Sequence, residues 1–534
     1  MERLQSNWLN ITLRRCGWLC LIILTSIACT IICYLFPGTS ETLTNADLIQ
    51  LPTILLDLQA DFANFWDWKL PQAPYYFPDT VAFITINWFA PNPWWAILLF
   101  STVQTSVLLL TLCWIYHELG GRRTSFFLVM LLCLLVSFTG IYTTIFTRLQ
   151  PSISPYINHL ASYIHFGAYL CCLLCLAGSI NYLRTPRKYL LVGIVAIAAI
   201  TTASDLLFAI YFTIPFIVAI NLASASQKLH FKHQKVFCWS LFIASFCGYI
   251  FNKYFDPLAA TTEVRIKLND IIAAFKALFI DNWQLPIKEN VFLFSTIVIP
   301  LIGLGIWLAI YYRNTANSIN AKDRNHWLAI VFLYTILASC CTTAAVVILG
   351  KYTNVSDARY LLFLYYSPGL IALISLCINL ENIKAKYINR ITIAGVVAIG
   401  LISLTTLSDL DRAVSAISSP PDYMSCFDLD KPQAGISEYW WSKPLITFSG
   451  RKMQVVNVDT KGKPYAWNMN RRWYHESWQN SGERPKFEFI LMKSLDVDSV
   501  TARYGKPDRV QSCANTKVWW YDNPEQVYRN LMRE

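Results

Sequence analysis

Long apolar runs recur along this chain, and they restrict its fold more than any other feature does. The first covers Cys16 to Phe36, and others cover 94 to 116, 124 to 147, 160 to 183, 189 to 203, 206 to 224, 236 to 254, 290 to 312, 327 to 350, 360 to 380 and 391 to 408. As helices, runs of this kind suit a hydrocarbon core of about 30 Å. The sequence therefore predicts an α-helical polytopic membrane protein with about eleven transmembrane helices. The pair at 189–224, joined at "TTASD", also reads as a re-entrant hairpin. The first run follows "RLQSNWLNITLRR" and is longer than the apolar part of a signal peptide, so it is read as a retained span. Composition agrees, because 55% hydrophobic and 14% charged residues over 534 positions are too apolar for a soluble chain.

The net charge of +11 sits in short basic clusters between the runs. Such clusters orient helices and meet anionic lipid head groups, which argues against a nucleic-acid partner and for membrane lipids as partners. Arg14 and Arg15, Arg122 and Arg123, Arg184 with Arg187 and Lys188, and Lys384 with Lys386 and Arg390 fall in alternating loops, whereas the intervening loops are sparser. The expected topology has the amino terminus in the cytoplasm and the carboxyl tail outside. All but two of the sixteen cysteines lie in or at the edges of the runs. The two exceptions, Cys426 and Cys513, are candidates for one disulfide in an extracytoplasmic tail, with two buried thiols as the alternative.

Two loops are far longer than ordinary connections. Residues 37–93 contain "NADLIQLPTILLDLQADFANFWDW", and residues 255–289 contain "EVRIKLNDIIAAFKALFIDNW"; both predict amphipathic helices lying along the outer membrane surface. The division is thus a transmembrane domain at 1–408, including these two interfacial loops, and an α+β extracytoplasmic domain at 409–534. In the latter, "GRKMQVVNVDTKGKPYAW" and "KFEFILMKSL" read as strands, "DVDSVTARYG" as a short helix, and "DRVQSC" with "TKVWWYD" as a closing pair.

Candidate chemistry gathers at the outer edges. Asp47 in "TNADLIQLP" reads as a helix cap and also as a base placed at the membrane lip. Asp79 closes "PQAPYYFPD", where three prolines preclude regular helix beside Tyr75, Tyr76 and Phe77; its plainer role is a turn cap. Asp205 in "TTASDLLF" caps a span or serves as an ionisable group near membrane depth. Lys351, Asp357 and Arg359 in "KYTNVSDARYLLF" suit a lipid phosphate, or snorkel and pair with one another; Arg148 and Arg265 are weaker choices. The Asp-x-Asp triplets at 409–411, 428–430 and 496–498 are too short to specify a metal, and "HFKH" lacks further ligands. No cofactor is called for; a divalent cation is compatible with the chain but has no clear motif.

This layout resembles the membrane glycosyltransferases of the GT-C superfamily. An early acid in a long first external loop, interfacial helices and a soluble domain after the last span carry the resemblance. "DLIQLPTILLDL", "FWDWKLPQAPYYFPD" and "RYLLFLYYSPG" also look like glycosyltransferase-like bacterial membrane proteins. The resemblance implies a protein of the bacterial inner membrane that moves a sugar from a polyprenyl-phosphate carrier to an extracytoplasmic acceptor. Asp47 would be its general base, Asp79 and Asp205 its donor-sugar contacts, and Arg359 or Lys351 its phosphate ligand. Tyr75, Tyr76 and Phe77 would wall the sugar or lipid. The first loop lacks the family's paired acids. The competing classes are a transporter or lipid flippase, for which mid-membrane charges and repeat symmetry would be expected, and a non-catalytic scaffold whose aromatic tail binds carbohydrate.

Overall fold

The computed structural model describes residues 2–35, 45–146, 164–227, 233–255, 272, 324–349, 360, 362–380, 384–478 and 482–533. The chain is mostly helical and is a membrane protein. Twelve helices precede its C-terminal region among the described residues: α1 (Glu2–Tyr34), α2 (Gln50–Ala60), α3 (Val81–Asn87), α4 (Pro93–Glu118), α5 (Thr124–Phe146), α6 (Phe166–Arg184), α7 (Lys188–Ser204), α8 (Ile214–Gln227), α9 (Gln234–Ile250), α10 (Arg324–Leu349), α11 (Leu362–Leu380) and α12 (Ala385–Leu407). Five stretches are helical, long and apolar enough to cross a membrane: Arg15–Tyr34, Pro93–Glu118, Phe166–Arg184, Gln234–Tyr254 and Ala385–Leu407. Five more apolar helical stretches of 10–17 residues, at α5, α7, α8, α10 and α11, accompany them among the described residues. The expected count of about eleven is not confirmed by these spans, and the run at 290–312 lies outside the described residues.

Short polar side chains tie the bundle together, as is usual where lipid offers apolar side chains no gain from association. Ser106 donates to Ser26 at 3.0 Å, and hydroxyl pairs join Tyr34 to Ser101 and Thr213 to Ser245, each at 2.7 Å. At one end Glu118 accepts from Trp114, Asn181 and Arg184. The ends of α1 and α4 away from Glu118 share a continuous core with the C-terminal region, through Ile31, Tyr34, Leu98 and Phe100.

That region begins with α13 (Leu410–Ser418) and builds a five-stranded mixed sheet. Strands β2 (Gln433–Glu438), β3 (Met453–Val458), β5 (Phe487–Leu491), β6 (Arg509–Cys513) and β7 (Thr516–Trp520) stand in the order β3-β2-β5-β7-β6. β2 runs parallel to both neighbours, and every residue of β3 is buried, as expected for parallel strands covered on both faces. The helices α14 (Tyr439–Phe448), α15 (Val497–Tyr504) and α16 (Pro524–Leu531) complete it. Asp496 caps α15 by accepting from Ser499 N, and Gly505 follows in the left-handed region at φ 88°. Asp496 thus spends its carboxylate on a helix end. Cys426 and Cys513 form a disulfide with Cα atoms 5.6 Å apart.

The first loop differs from its expected place on the membrane surface. The helix of its amphipathic stretch is α2, and Leu48, Leu51, Ile54 and Leu55 are buried in the core shared with the C-terminal sheet. Thr53 of α2 shares a hydrogen bond of 2.8 Å with Thr447 of α14. Two short strands, β1 (Trp68–Lys69) and β4 (Met469–Asn470), pair antiparallel and stitch the loop to the domain. The apolar face of α2 covers protein rather than lipid because the sheet and α14 leave an apolar flank that this face fills. The second interfacial segment, 255–289, lies almost wholly outside the described residues.

Candidate functional site

Among the described residues, two clusters of ionisable side chains stand out, and both belong to the end of the bundle that carries the C-terminal region. The first centres on Asp47. Capping at the start of the loop falls to Asn45, whose Oδ1 accepts from the N–H groups of Asp47 and Leu48. The expected capping role of Asp47 is therefore corrected, and its half-buried side chain turns to the C-terminal region. There the Tyr439 hydroxyl donates to Asp47 Oδ1 in a short hydrogen bond, and Asn468 Nδ2 donates to the same hydroxyl oxygen at 3.1 Å. Glu438 places Tyr439 by capping α14, accepting from Trp440 N at 3.0 Å.

One helical turn on, Lys443 lies fully buried with its Nζ 4.2 Å from the centre of the Tyr439 ring. That nitrogen has no hydrogen-bond partner among the described residues. Burial pushes the amine down from an ordinary 10.5 to about 7, against the opposing pull of Asp47 and Glu438. Burial likewise raises Glu438, with its cap hydrogen bonds acting the other way. Tyr465, whose ring meets Tyr439 edge-on at 6.1 Å, is raised by burial and by the same two acids. The arrangement is an acid at a seam, oriented by a phenol, beside an amine poised between its two charge states.

The second cluster joins the first loop to the ends of α6 and α7. His165 precedes α6 with φ 67°, and its Nδ1 lies 2.7 Å from Asp205 Oδ2 just after α7. Its Nε2 lies 3.0 Å from the Tyr75 hydroxyl. With Nδ1–H given to Asp205, Nε2 accepts from the phenol, which makes a buried Tyr75–His165–Asp205 chain. Ser204 fixes the loop over it: its carbonyl accepts from Tyr75 N at 3.4 Å and its hydroxyl from Phe77 N at 2.9 Å. Tyr75 itself sits in the left-handed region at φ 55°, a conformation that favours glycine. Asp205 Oδ1 also accepts from Leu207 N, so its capping role and its ionic role coexist. Asp79 is buried close by, and a side chain on Gly167 would run into its carboxylate. The helix after Asp79, α3, begins at Val81, and Thr80, which precedes it, makes no side-chain cap hydrogen bond. Tyr76 is half-buried and packs toward Phe65.

Lys351, Asp357 and Arg359, and with them Arg148 and Arg265, lie outside the described residues. Sequence reasoning missed His165, Tyr439, Lys443 and Asp57. Asp57, one acid of the amphipathic stretch in the first loop, is fully buried and accepts from Trp68 Nε1 at 3.0 Å, Asn470 Nδ2 at 2.8 Å, Asn64 Nδ2 at 3.1 Å and Arg451 Nη2 at 2.9 Å. No signal in sequence could have paired these residues, because their partners lie in distant segments. The lone buried histidine ahead of an apolar run was the nearest to a readable clue. No protein-family model matches the chain, and no curated protein matches it in sequence.

Proposed function

We propose that the protein is a membrane glycosyltransferase of the GT-C type, moving a sugar from a polyprenyl-phosphate carrier to an extracytoplasmic glycan, lipid or protein. The observation that supports this reading is Asp47, an acid of the first loop released from helix capping and held by Tyr439 at the seam with the C-terminal region. In the proposed step Asp47 accepts the proton of the acceptor hydroxyl as that oxygen bonds to the anomeric carbon. The bond from this carbon to the carrier phosphate breaks, and the phosphate leaves with the electron pair. Lys351 or Arg359 stabilises the leaving phosphate, and Asp79 and Asp205 contact the donor sugar. The amino terminus is then cytoplasmic, and the C-terminal domain faces outward from a bacterial inner membrane.

The test is transfer of labelled sugar from polyprenyl-phosphate donors in membranes carrying the wild type, Asp47→Asn or Arg359→Ala. Asparagine can still accept from Tyr439, so loss of transfer in a well-folded Asp47→Asn protein supports the base. Wild-type transfer equal to that of empty membranes across a broad donor panel would remove the reading.

The buried Tyr75–His165–Asp205 chain favours a second reading, a proton-coupled transporter, since ionisable groups at this depth often carry protons. Substrate-dependent proton flux in proteoliposomes, abolished by Asp205→Asn and untouched by Asp47→Asn, would select it.

A further inference from the structure

A cleft of about 470 Å³ opens between the first loop and the C-terminal domain, away from Asp47 in sequence on both of its walls. Trp66 and Asp67 form one wall; Arg471, Arg472, His475 and Glu476 form the other. We propose that this cleft binds a saccharide, with a pyranose ring lying on the Trp66 indole and its hydroxyls meeting Asp67, Arg471 and His475. Calling that saccharide the acceptor rests on the transferase reading; the binding itself does not.

The backbone of both walls is held by buried neighbours. On the loop side, Trp68 is fully buried by its bond to Asp57 and an edge contact with Trp473, ring centres 5.2 Å apart. Trp66, two residues earlier, is left 65% exposed, and Phe65 supports it edge-on at 5.5 Å. An indole so presented is a rigid apolar plate with only two side-chain torsions to freeze. On the domain side, Asn470 caps the turn that carries Arg471 and Arg472 and at the same time bonds to buried Asp57. The β1–β4 pairing holds the two walls in register.

The polar groups divide into used and unused. Glu476 takes both nitrogens of the Arg472 fork, at 2.8 and 3.0 Å, and also Gly482 N–H, so this pair is closed on itself. The side chains of Arg471 and His475 are exposed and have no hydrogen bond or ion pair among the described residues. The cleft therefore offers an aromatic plate, one carboxylate acceptor and two sets of planar donors within a volume typical of small-ligand sites. A pyranose matches that set: one face is a row of C–H groups and its edge is a ring of hydroxyls. An acyl chain does not match it, because the wall opposite the indole carries four ionisable side chains.

The test uses the full-length protein in detergent, titrated by calorimetry with soluble tetrasaccharides of glucose, mannose, N-acetylglucosamine and galacturonic acid. Saturable binding of at least one is expected, weakened about tenfold by Trp66→Ala and less by Trp66→Phe, with Arg471→Ala also weaker. Asp47→Asn should bind as the wild type does. Trp66 is exposed, so an unchanged melting temperature separates lost binding from lost folding. No saturable binding of any of the four at millimolar concentration, or binding undiminished in Trp66→Ala, would overturn the proposal; the second result would leave Trp66 as a head-group anchor. Sugar transfer with an acceptor KM unaffected by Trp66→Ala would also overturn the cleft while sparing the transferase reading. Binding without transfer would uphold the cleft and count against the transferase.

Discussion

Asp57 and Asp47 belong to one loop and both reach the C-terminal region, yet they are treated in opposite ways. Asp57 is fully buried and saturated by four side chains, one of them a guanidinium. Asp47 keeps part of its surface exposed and stands beside Lys443, a buried amine with no hydrogen-bond partner among the described residues. A buried charge with all its lone pairs engaged holds segments in place; a partly solvated one at a seam is left accessible to a ligand. The contrast separates the fastening of the loop from its chemistry, and four measurements bear on it.

The largest effect is expected at Asp57. Its replacement by alanine strands Arg451, Asn470 and the Trp68 indole, and should cost about 3–5 kcal/mol, read as a lower melting temperature and faster proteolysis of the loop. A loss below about 1 kcal/mol would mean that the seam does not depend on this acid.

Replacing Cys426 and Cys513 together by serine reopens a closure of 87 residues and should cost about 2–4 kcal/mol, with reductant reproducing the loss in the wild type. Insensitivity to both would show that the sheet holds this segment unaided.

Lys443→Met should stabilise the fold by about 1–2 kcal/mol near pH 6, because it removes a buried cation that lacks a hydrogen bond. The folded-state value, about 7, lies below the ordinary 10.5, so the unfolded chain holds the proton more tightly across that interval. The destabilisation is thus fully present below about 7 and is relieved as pH rises toward 10.5, and the advantage of methionine should shrink along the same path. A pH-independent difference would refute the assignment.

The smallest effect on folding is expected for Asp47→Asn, within about 0.5 kcal/mol, since the amide oxygen keeps the Tyr439 hydrogen bond. Transfer should nevertheless fall at least ~100-fold if the carboxylate is the base. Equal damage to stability and to activity would make Asp47 a second fastener and erase the contrast.

The sequence made the local parts of this fold legible and left the joins hidden. "DRVQSC" and "TKVWWYD" announce an antiparallel pair by alternation and proximity, and Asp496 with Gly505 brackets α15 with ordinary cap chemistry. β2 escaped notice because "QAGISE" has only one β-branched aliphatic residue; its Gly435 is required because a side chain there would meet the Phe489 ring. α2 was legible as amphipathic, but periodicity says only that a face is apolar, not whether lipid or protein covers it. Asp47 was visible as an acid near the membrane, whereas Tyr439 is 392 positions away and His165 is 40 positions from Asp205. Such contacts are properties of tertiary packing, and no local pattern encodes them.

The stitch between the first loop and the C-terminal domain also sets a timetable for biogenesis. Arg451 follows its partner Asp57 by 394 residues, so a ribosome adding about 5–20 residues per second reaches it roughly 20–80 s later. Throughout that interval the apolar side of α2 lacks the sheet that will cover it. Until the tail is made, the buried face of α2 therefore has no partner from that part of the chain. The seam between loop and tail can thus close only after nearly the whole chain has been synthesised.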